Sequence, residues 1–267
     1  MGRRPRTLDK SLSKCRGLQP KGVTDSKRLV VPLEPDTANL KETHICMHGS
    51  ETTGYDTGKP YNEWFSECLG LDVELLYVGL NRRRVLGNLS PNSQTAGHES
   101  SWTSLFQKAV TRDDHEQGLG LSDVAAVLVV SETSLDHVTR RLPEGMKGDI
   151  RKFRPNIVIS GAETEFAEDY WRELDNSGNK VLLTQNCNRC VSLNLDYDSG
   201  TFSTGPEGKV LANLSKDRHI DPGARYSPTF GRYGFFHRDA HQKNLVVGDK
   251  VKVTGTNGER TTFSKHL

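Results

Sequence analysis

Short alternating runs of apolar and polar residues recur along the chain, and they predict strands with only a few helices. The longest apolar run, residues 124–130, predicts a buried strand, and residues 156–159 predict a second one. Residues 43–48 alternate in type as a half-buried strand does. A helix is predicted to begin near Ser131 and to end at Pro143, because hydroxyl residues favour helix starts and proline favours helix ends.

Three later segments complete the predicted elements. Residues 166–174 carry acidic side chains near their start, which suits the positive end of a short helix. Residues 191–195 alternate and predict a strand directly after Cys190, and residues 245–253 predict a hairpin that turns at Gly248. Few helices and no strand–helix–strand rhythm together favour an α+β fold that is mostly β and barrel-like.

Composition divides the chain into five parts. Residues 1–27 are basic and have no apolar period, so they are expected to form a disordered tail. Two folded regions, residues 28–90 and residues 121–254, are separated by a polar loop or insert at residues 91–120. A short C-terminal tail, residues 255–267, follows the second folded region.

Charge and cysteine content narrow the class of protein. Lys and Arg number 36 against 34 Asp and Glu, a formal charge of +2 that does not call for nucleic acid as a partner. No apolar run approaches the roughly 18 residues of a membrane span, so none is expected. The odd count of 5 cysteines without a secretory signal favours a reducing compartment inside the cell, with cytoplasmic and mitochondrial locations both open.

The pair Cys187 and Cys190 is the first feature with chemical content. A zinc site would need a second ligand pair, and none follows at the usual spacing. A thioredoxin-like redox pair should open a helix, whereas a strand is predicted here. A lone thiolate ligand for a metal fits better, since the neighbouring Arg189 favours the ionised sulfur. A plain packed cysteine is the remaining alternative.

Arg154 and Asn156 are the second feature, because they stand at the entry to a predicted buried strand. A guanidinium with a nearby amide suits a phosphate group or the edge of a heterocycle. The alternative is that Arg154 pairs with a local acid such as Asp149 or Glu168. No nucleophile elbow or phosphate-binding glycine loop is present, and pyridoxal phosphate is not expected because the chain has no room for the domain it would need.

Taken together, these segments resemble the MOSC family, the domain found at the C-terminus of molybdenum cofactor sulfurases. Within that family the chain is similar to the mitochondrial amidoxime-reducing components and to fungal MOSC proteins. The resemblance covers about residues 29–254. The stretches that carry it are residues 31–36, 55–58, 61–65, 78–79, 86–88, 128–132, 153–158, 168–171, 189–190, 230–233 and 247–249.

The resemblance implies a MOSC-type β-barrel with a partial N-terminal β subdomain, and a molybdenum–molybdopterin cofactor. Cys190 corresponds to the cysteine that ligates the metal and serves catalysis, while Cys187 is a non-ligating neighbour. The groups expected to hold the pterin and its phosphate, or to lie beside them, are Arg154, Asn156, Asn188, Arg189, Tyr233 and Asp123.

Two departures from the family pattern stand out. Relatives often carry hydroxyl residues after the position of Asp123, where this chain has Val124 and Ala125. Relatives also begin with a β-rich segment bearing a Pro-Ile-Lys-Ser-like motif, where this chain offers only residues 14–17 in a basic tail. The N-terminal region is therefore expected to be truncated.

The resemblance implies an oxidoreductase that reduces N-hydroxylated or related oxygen-bearing small molecules. Its electrons would come from a haem- or flavin-bearing partner protein, because the chain has no motif for either group. A non-catalytic carrier of the cofactor or of sulfur is the alternative. A partial, cofactor-free fold is the third hypothesis.

Overall fold

The computed structural model describes residues 7–9, 29–85, 118–237 and 245–263. The chain divides into two compact units, one formed by Met1–Arg83 with Tyr197–Thr201 and the other by the rest of the chain. Most of the predicted basic tail and nearly all of the predicted polar insert lie outside the described residues.

The described part of the first unit is built from short antiparallel strands and one α-helix. The elements are β1 (Thr7–Asp9), β2 (Val30–Pro32), β3 (Lys41–Met47), β4 (Ser50–Asp56), α1 (Lys59–Leu69) and β5 (Leu76–Tyr77). A three-stranded sheet has the order β3-β4-β5, and a separate two-stranded sheet joins β1 to β2. The strand predicted at residues 43–48 is thereby confirmed as β3.

The second unit contains the strands β6 (Val127–Ser131), β7 (Ile157–Ile159), β8 (Trp171–Asn176), β9 (Asn179–Asn188), β10 (Thr229–Phe236) and β11 (Lys252–Thr256). They form a six-stranded sheet that curls into half of a barrel, in the order β11-β8-β9-β10-β6-β7. The described part of this unit has two α-helices, α2 (Glu132–Thr139) and α3 (Val210–Ser215). The predicted α+β fold with mostly β structure is confirmed.

Strand β6 organises the core of this sheet. All five of its residues are buried, because it lies between β10 and β7 and is covered on both faces. Successive side chains of a strand point to opposite faces. Leu128 and Val130 accordingly pack in one apolar cluster, and Val127 and Val129 pack in the other. The first of these clusters carries the candidate site.

Two glycines allow β10 to bend. The pairing register between β10 and β9 shifts twice, once on each side of Arg232 and Tyr233. A Cβ atom on Gly231 would lie 2.7 Å from Val130 Cγ1, and one on Gly234 would lie 2.8 Å from the Leu182 carbonyl oxygen. Register shifts of the kind seen between β10 and β9 bend a strand, which suits the curled sheet.

The helix predicted at residues 166–174 is wrong over most of its length. Ala167–Tyr170 form a single 3-10 turn, and the chain then enters strand β8. Trp171 and Leu174 are buried in that strand. Pairing of β8 with both β9 and β11 therefore outweighs the local preference of the acidic residues for a helix start.

The strand predicted after Cys190 is also wrong. Val191–Asn194 form a 3-10 turn in which only Leu193 is buried, and no neighbouring strand pairs with it. The hairpin predicted at residues 245–253 is replaced by a turn that leads into β11, which pairs with β8. In both places the alternating pattern is present, but the strand partner that it requires is missing or different.

Across the parts of the chain that the structure describes, no helix has the length and apolarity needed to cross a membrane.

Candidate functional site

Cys190 lies at the surface just beyond the end of β9. It precedes the 3-10 turn Val191–Asn194, and its Sγ atom is 3.1 Å from the hydroxyl oxygen of Ser192. The hydrogen bond from the Ser192 hydroxyl is the main cause that lowers the pKa of the Cys190 thiol, and the adjacent Arg189 guanidinium adds to the effect. An exposed cysteine that ionises readily suits a metal ligand.

Cys187, three residues earlier, has the opposite environment. Only 1% of its surface is exposed, and it packs with Phe153, Leu193 and Phe230 in the apolar cluster. Burial raises the pKa of its thiol, so this sulfur stays protonated. Of the two cysteines, Cys190 alone has the exposure and charge expected of a ligand.

The side chain of Arg189 connects three segments of the chain. Its Nε and Nη2 atoms donate to the carbonyl oxygen of Phe230 at 2.9 and 2.7 Å, and its Nη1 atom donates to that of Phe153 at 2.7 Å. The guanidinium carbon also lies 5.4 Å from the ring centre of Phe153 and 5.9 Å from that of Phe230. This geometry combines hydrogen bonds with cation–π contact.

Arg154 has a strained backbone and an exposed side chain. Its φ of 53° lies in the left-handed region, which non-glycine residues adopt uncommonly and often at functional sites. Within the described ranges its guanidinium makes no hydrogen bond or ion pair. The alternative that Arg154 pairs with a local acid is therefore wrong, because Asp149 binds Arg151 and Glu168 accepts from Ser134.

Asn156 joins the site to the buried sheet. Its Oδ1 atom accepts from the Leu128 amide at 2.8 Å, and its own amide donates to the Leu128 carbonyl at 2.9 Å. These two bonds fix the entry to β7 against the start of β6. The side-chain NH₂ group of Asn156 makes no hydrogen bond to the described part of the chain, so it remains available to an acceptor.

Tyr233 and Asp123 form a hydrogen-bonded polar pair. The Tyr233 hydroxyl donates to Asp123 Oδ2 at 3.0 Å and also contacts the Cys187 thiol. Burial, with the nearby Cys187 and Asp123, raises the pKa of the Tyr233 hydroxyl, so this group remains a hydrogen-bond donor. The pair holds the exposed Asp123 carboxylate in a defined orientation.

The structure connects all seven predicted site residues through direct contacts or single intervening residues. Tyr233 is the cross-strand partner of Leu128, and Leu128 forms two hydrogen bonds with Asn156. The carbonyl bound by Arg189 belongs to Phe153, next to Arg154 in the chain. The side chain of Asn188, beside Arg189, accepts from the Thr229 hydroxyl at 3.3 Å.

Three residues that contact this site are not among the seven predicted site residues: Ser192, Phe153 and Phe230. A hydroxyl two residues after Cys190 is a signal that could have identified Ser192. The two phenylalanines accept through their backbone carbonyls, which no sequence pattern reveals.

Comparison with known proteins identifies the family of the chain. The sequence model of the MOSC domain matches residues 116–252, about half of the 267 residues. The chain belongs to the MOSC domain family, which confirms the resemblance drawn from the sequence.

Two groups of relatives are similar over most of the chain. The human mitochondrial amidoxime-reducing component 1 is 29% identical over 235 residues, which cover 86% of this chain and 61% of the relative. The amidoxime-reducing component 2 of Macaca fascicularis is 28% identical, with coverage of 85% and 61%. The molybdenum cofactor sulfurase of Oryza sativa is 29% identical over 73% of this chain and 22% of the relative. The chain thus spans about three fifths of the length of the amidoxime-reducing components that it matches.

Proposed function

We propose that this chain binds a molybdenum–molybdopterin cofactor through Cys190 and reduces N-hydroxylated or related oxygen-bearing small molecules. Membership of the MOSC family relates the chain to molybdenum cofactor proteins. The observation that carries the proposal is that the hydrogen bond from Arg189 to the Phe153 carbonyl links two neighbouring residues, the exposed Cys190 and Arg154, whose guanidinium makes no hydrogen bond within the described ranges. A thiolate and a cation together suit a metal bound to an anionic organic group.

The donors present fit such a cofactor. Thiolate is a soft ligand of the kind that transition metals accept. The Arg154 guanidinium can fork onto a phosphate, and the Asn156 amide can donate to a heteroatom of the pterin. The remaining residues of the proposed site contact these groups or line the site; they are Asn188, Arg189, Asp123 and Tyr233.

In this proposal the side chains bind and orient the cofactor and the substrate. When bound, the cofactor would supply the two-electron redox chemistry. Reduction of an N-hydroxyl group breaks the N–O bond, forms an N–H bond and releases water, which consumes two electrons and two protons. The electrons would come from a haem- or flavin-bearing partner protein.

The proposal is tested by turnover of an amidoxime. Chain purified from a cofactor-producing host would be mixed with benzamidoxime and chemically reduced viologen dye, and the benzamidine formed would be measured by chromatography. The expected result is turnover that is lost in Cys190→Ala. Full molybdenum loading without any benzamidine would contradict the reductase assignment.

A carrier of the cofactor or of sulfur is the second candidate. The exposure of Cys190 and the similarity to a molybdenum cofactor sulfurase favour it. A carrier would load with cofactor, fail to reduce benzamidoxime, and pass cofactor or sulfur to a cofactor-free acceptor enzyme. Either role fits a reducing compartment, and the mitochondrial relatives make the mitochondrion one of the two locations to test, beside the cytoplasm.

A further inference from the structure

The guanidinium of Arg189 is already committed to the protein. Three of its hydrogen bonds end on main-chain carbonyl oxygens, two on that of Phe230 and one on that of Phe153. Its guanidinium carbon also lies within cation–π distance of both aromatic rings. To bind a phosphate through these same donors, the side chain would have to leave two buried carbonyl groups unsatisfied, which is costly.

The three segments that Arg189 joins are the ones that carry the proposed ligands. Its own backbone leads directly into Cys190. The Phe153 carbonyl ends the 3-10 turn Ile150–Phe153 just before the left-handed residue Arg154. Phe230 lies near the start of β10, whose pairing with β9 sets the position of the Asn188–Cys190 segment.

We propose that Arg189 is a positioning residue that fixes Cys190 and Arg154 relative to each other, and that its guanidinium is not itself a ligand of the cofactor phosphate. This inference rests on the proposed function, because it concerns the spacing of a metal ligand and a phosphate ligand. It reverses the role that the family resemblance implies for this side chain. Arg154, which has no partner within the described ranges, is the phosphate-binding arginine of the pair.

The two roles differ in whether lysine can replace arginine. At an exposed site lysine can still bind a phosphate as a point charge, so the contact made by Arg154 is weakened but kept. A planar fork that reaches two carbonyl oxygens while it contacts two rings depends on the shape of the guanidinium, which lysine lacks. Arg154→Lys and Arg189→Lys are therefore a matched pair of variants, each with the corresponding glutamine variant as the charge-free control.

The experiment measures three properties of the full chain from a cofactor-producing host: molybdenum per chain, the thermal midpoint of the cofactor-free form, and the Mo(V) electron paramagnetic resonance spectrum. Arg154→Lys is expected to keep most of the molybdenum and the parent spectrum, while Arg154→Gln loses metal without a change in midpoint. Arg189→Lys is expected to resemble Arg189→Gln, with a lower midpoint, reduced loading and an altered spectrum in the fraction that loads. A parent-like midpoint, loading and spectrum in Arg189→Lys, with loss only in Arg189→Gln, would overturn the proposal.

A separate readout distinguishes failure of this inference from failure of the proposed function. If the parent chain binds no molybdenum, the proposed function is wrong, and the position of Cys190 is then tested by its alkylation with iodoacetamide at neutral pH. Loss of the Arg189 anchor should free Cys190 from Ser192 and slow alkylation several-fold, whereas Arg154→Lys should leave the rate unchanged. Equal rates in the parent chain and in Arg189→Lys would refute the positioning role.

Discussion

The ionisation of Cys190 depends on one neighbouring hydroxyl group. Ser192 lies in the 3-10 turn that follows Cys190, and its Oγ atom is 3.1 Å from the cysteine sulfur. A donor at this position stabilises the thiolate more than the thiol. The turn that replaces the predicted strand is therefore part of the site, because an extended chain would point the two side chains along the same face without a fixed contact.

Replacement of Ser192 by alanine is expected to raise the pKa of the Cys190 thiol toward its ordinary value. The folded chain with Ser192 has the lowered pKa, so it keeps more thiolate at neutral pH, and the variant should react with iodoacetamide only at higher pH. The measurement is the pH profile of Cys190 alkylation in the cofactor-free chain. Ser192→Thr keeps a hydroxyl and should retain the parent profile, and superimposable profiles for the parent chain and Ser192→Ala would refute the assignment.

At the scale of elements, an ion pair ties the end of helix α2 to the end of helix α3. Arg141 follows α2 and donates to Asp217, which follows α3, as well as to the Asn213 carbonyl at 3.1 Å. The hydrogen bond from Arg141 lowers the pKa of the Asp217 carboxyl below the 3.8 of the free side chain. The unfolded chain therefore takes up this proton at higher pH than the folded chain.

The contribution of this ion pair to the free energy of unfolding is thus present above about pH 4. It is lost as the pH falls through the pKa of Asp217 in the folded chain. Asp217→Asn should lower the free energy of unfolding at neutral pH by less than ~1 kcal/mol, because the carboxylate is half exposed and screened. The free energies of unfolding of the variant and of the parent chain should become equal in strongly acidic solution. Urea denaturation across this pH range measures the difference, and a constant gap at all pH values would show that the pair does not titrate as described.

The segment after β11 completes a buried polar network in the second unit. Asp169 is fully buried and accepts from Arg218 and from Arg260, the latter at 3.0 Å. Burial lowers the pKa of Arg232 to about 10, and its Nη1 atom donates to Thr261 Oγ1 at 2.9 Å. Residues after 256 therefore add further partners to buried charges that Arg218 and Asn186 already contact in part.

Displacement of this segment is expected to destabilise the chain. A Cβ atom on Gly223 would lie 1.6 Å from the Phe263 carbonyl oxygen, so Gly223→Ala must push the segment away. We expect a loss of ~1–3 kcal/mol in the free energy of unfolding, as for other overpacked sites. Gly258→Ala is the matched control, since nothing lies within 4 Å of its added Cβ. Equal stability of the two variants in urea denaturation would contradict this account of the segment.

At the scale of the whole molecule, local sequence patterns predict the elements whose own residues carry a strong apolar or helix-start signal. Strand β6 and helix α2 follow from a continuous apolar run and from the hydroxyl residues after it. Residues 166–174 and 191–195 are misassigned because their structure depends on the strand partner: β8 pairs with both β9 and β11, whereas Val191–Asn194 pair with no described strand. Periodicity carries no information about that partner.

The residues of the candidate site are likewise predictable from the sequence only in part. Cys190 and Arg154 are recognisable from residue type and from the order of family motifs. The commitment of Arg189 to two main-chain carbonyls is not, because the acceptors belong to segments 36 and 41 residues away in the sequence. Residue type alone therefore assigns the two arginines the same role, and only their contacts separate them.

Molybdenum content per chain is the most direct test of the central claim that Cys190 holds the cofactor. The protein would be made in a cofactor-producing host and measured by elemental mass spectrometry beside Cys190→Ala, with Cys187→Ala as the control for loss of a neighbouring cysteine. We expect near-stoichiometric molybdenum in the parent chain, substantial metal in Cys187→Ala and little in Cys190→Ala. Equal molybdenum in the parent chain and in Cys190→Ala would contradict the account.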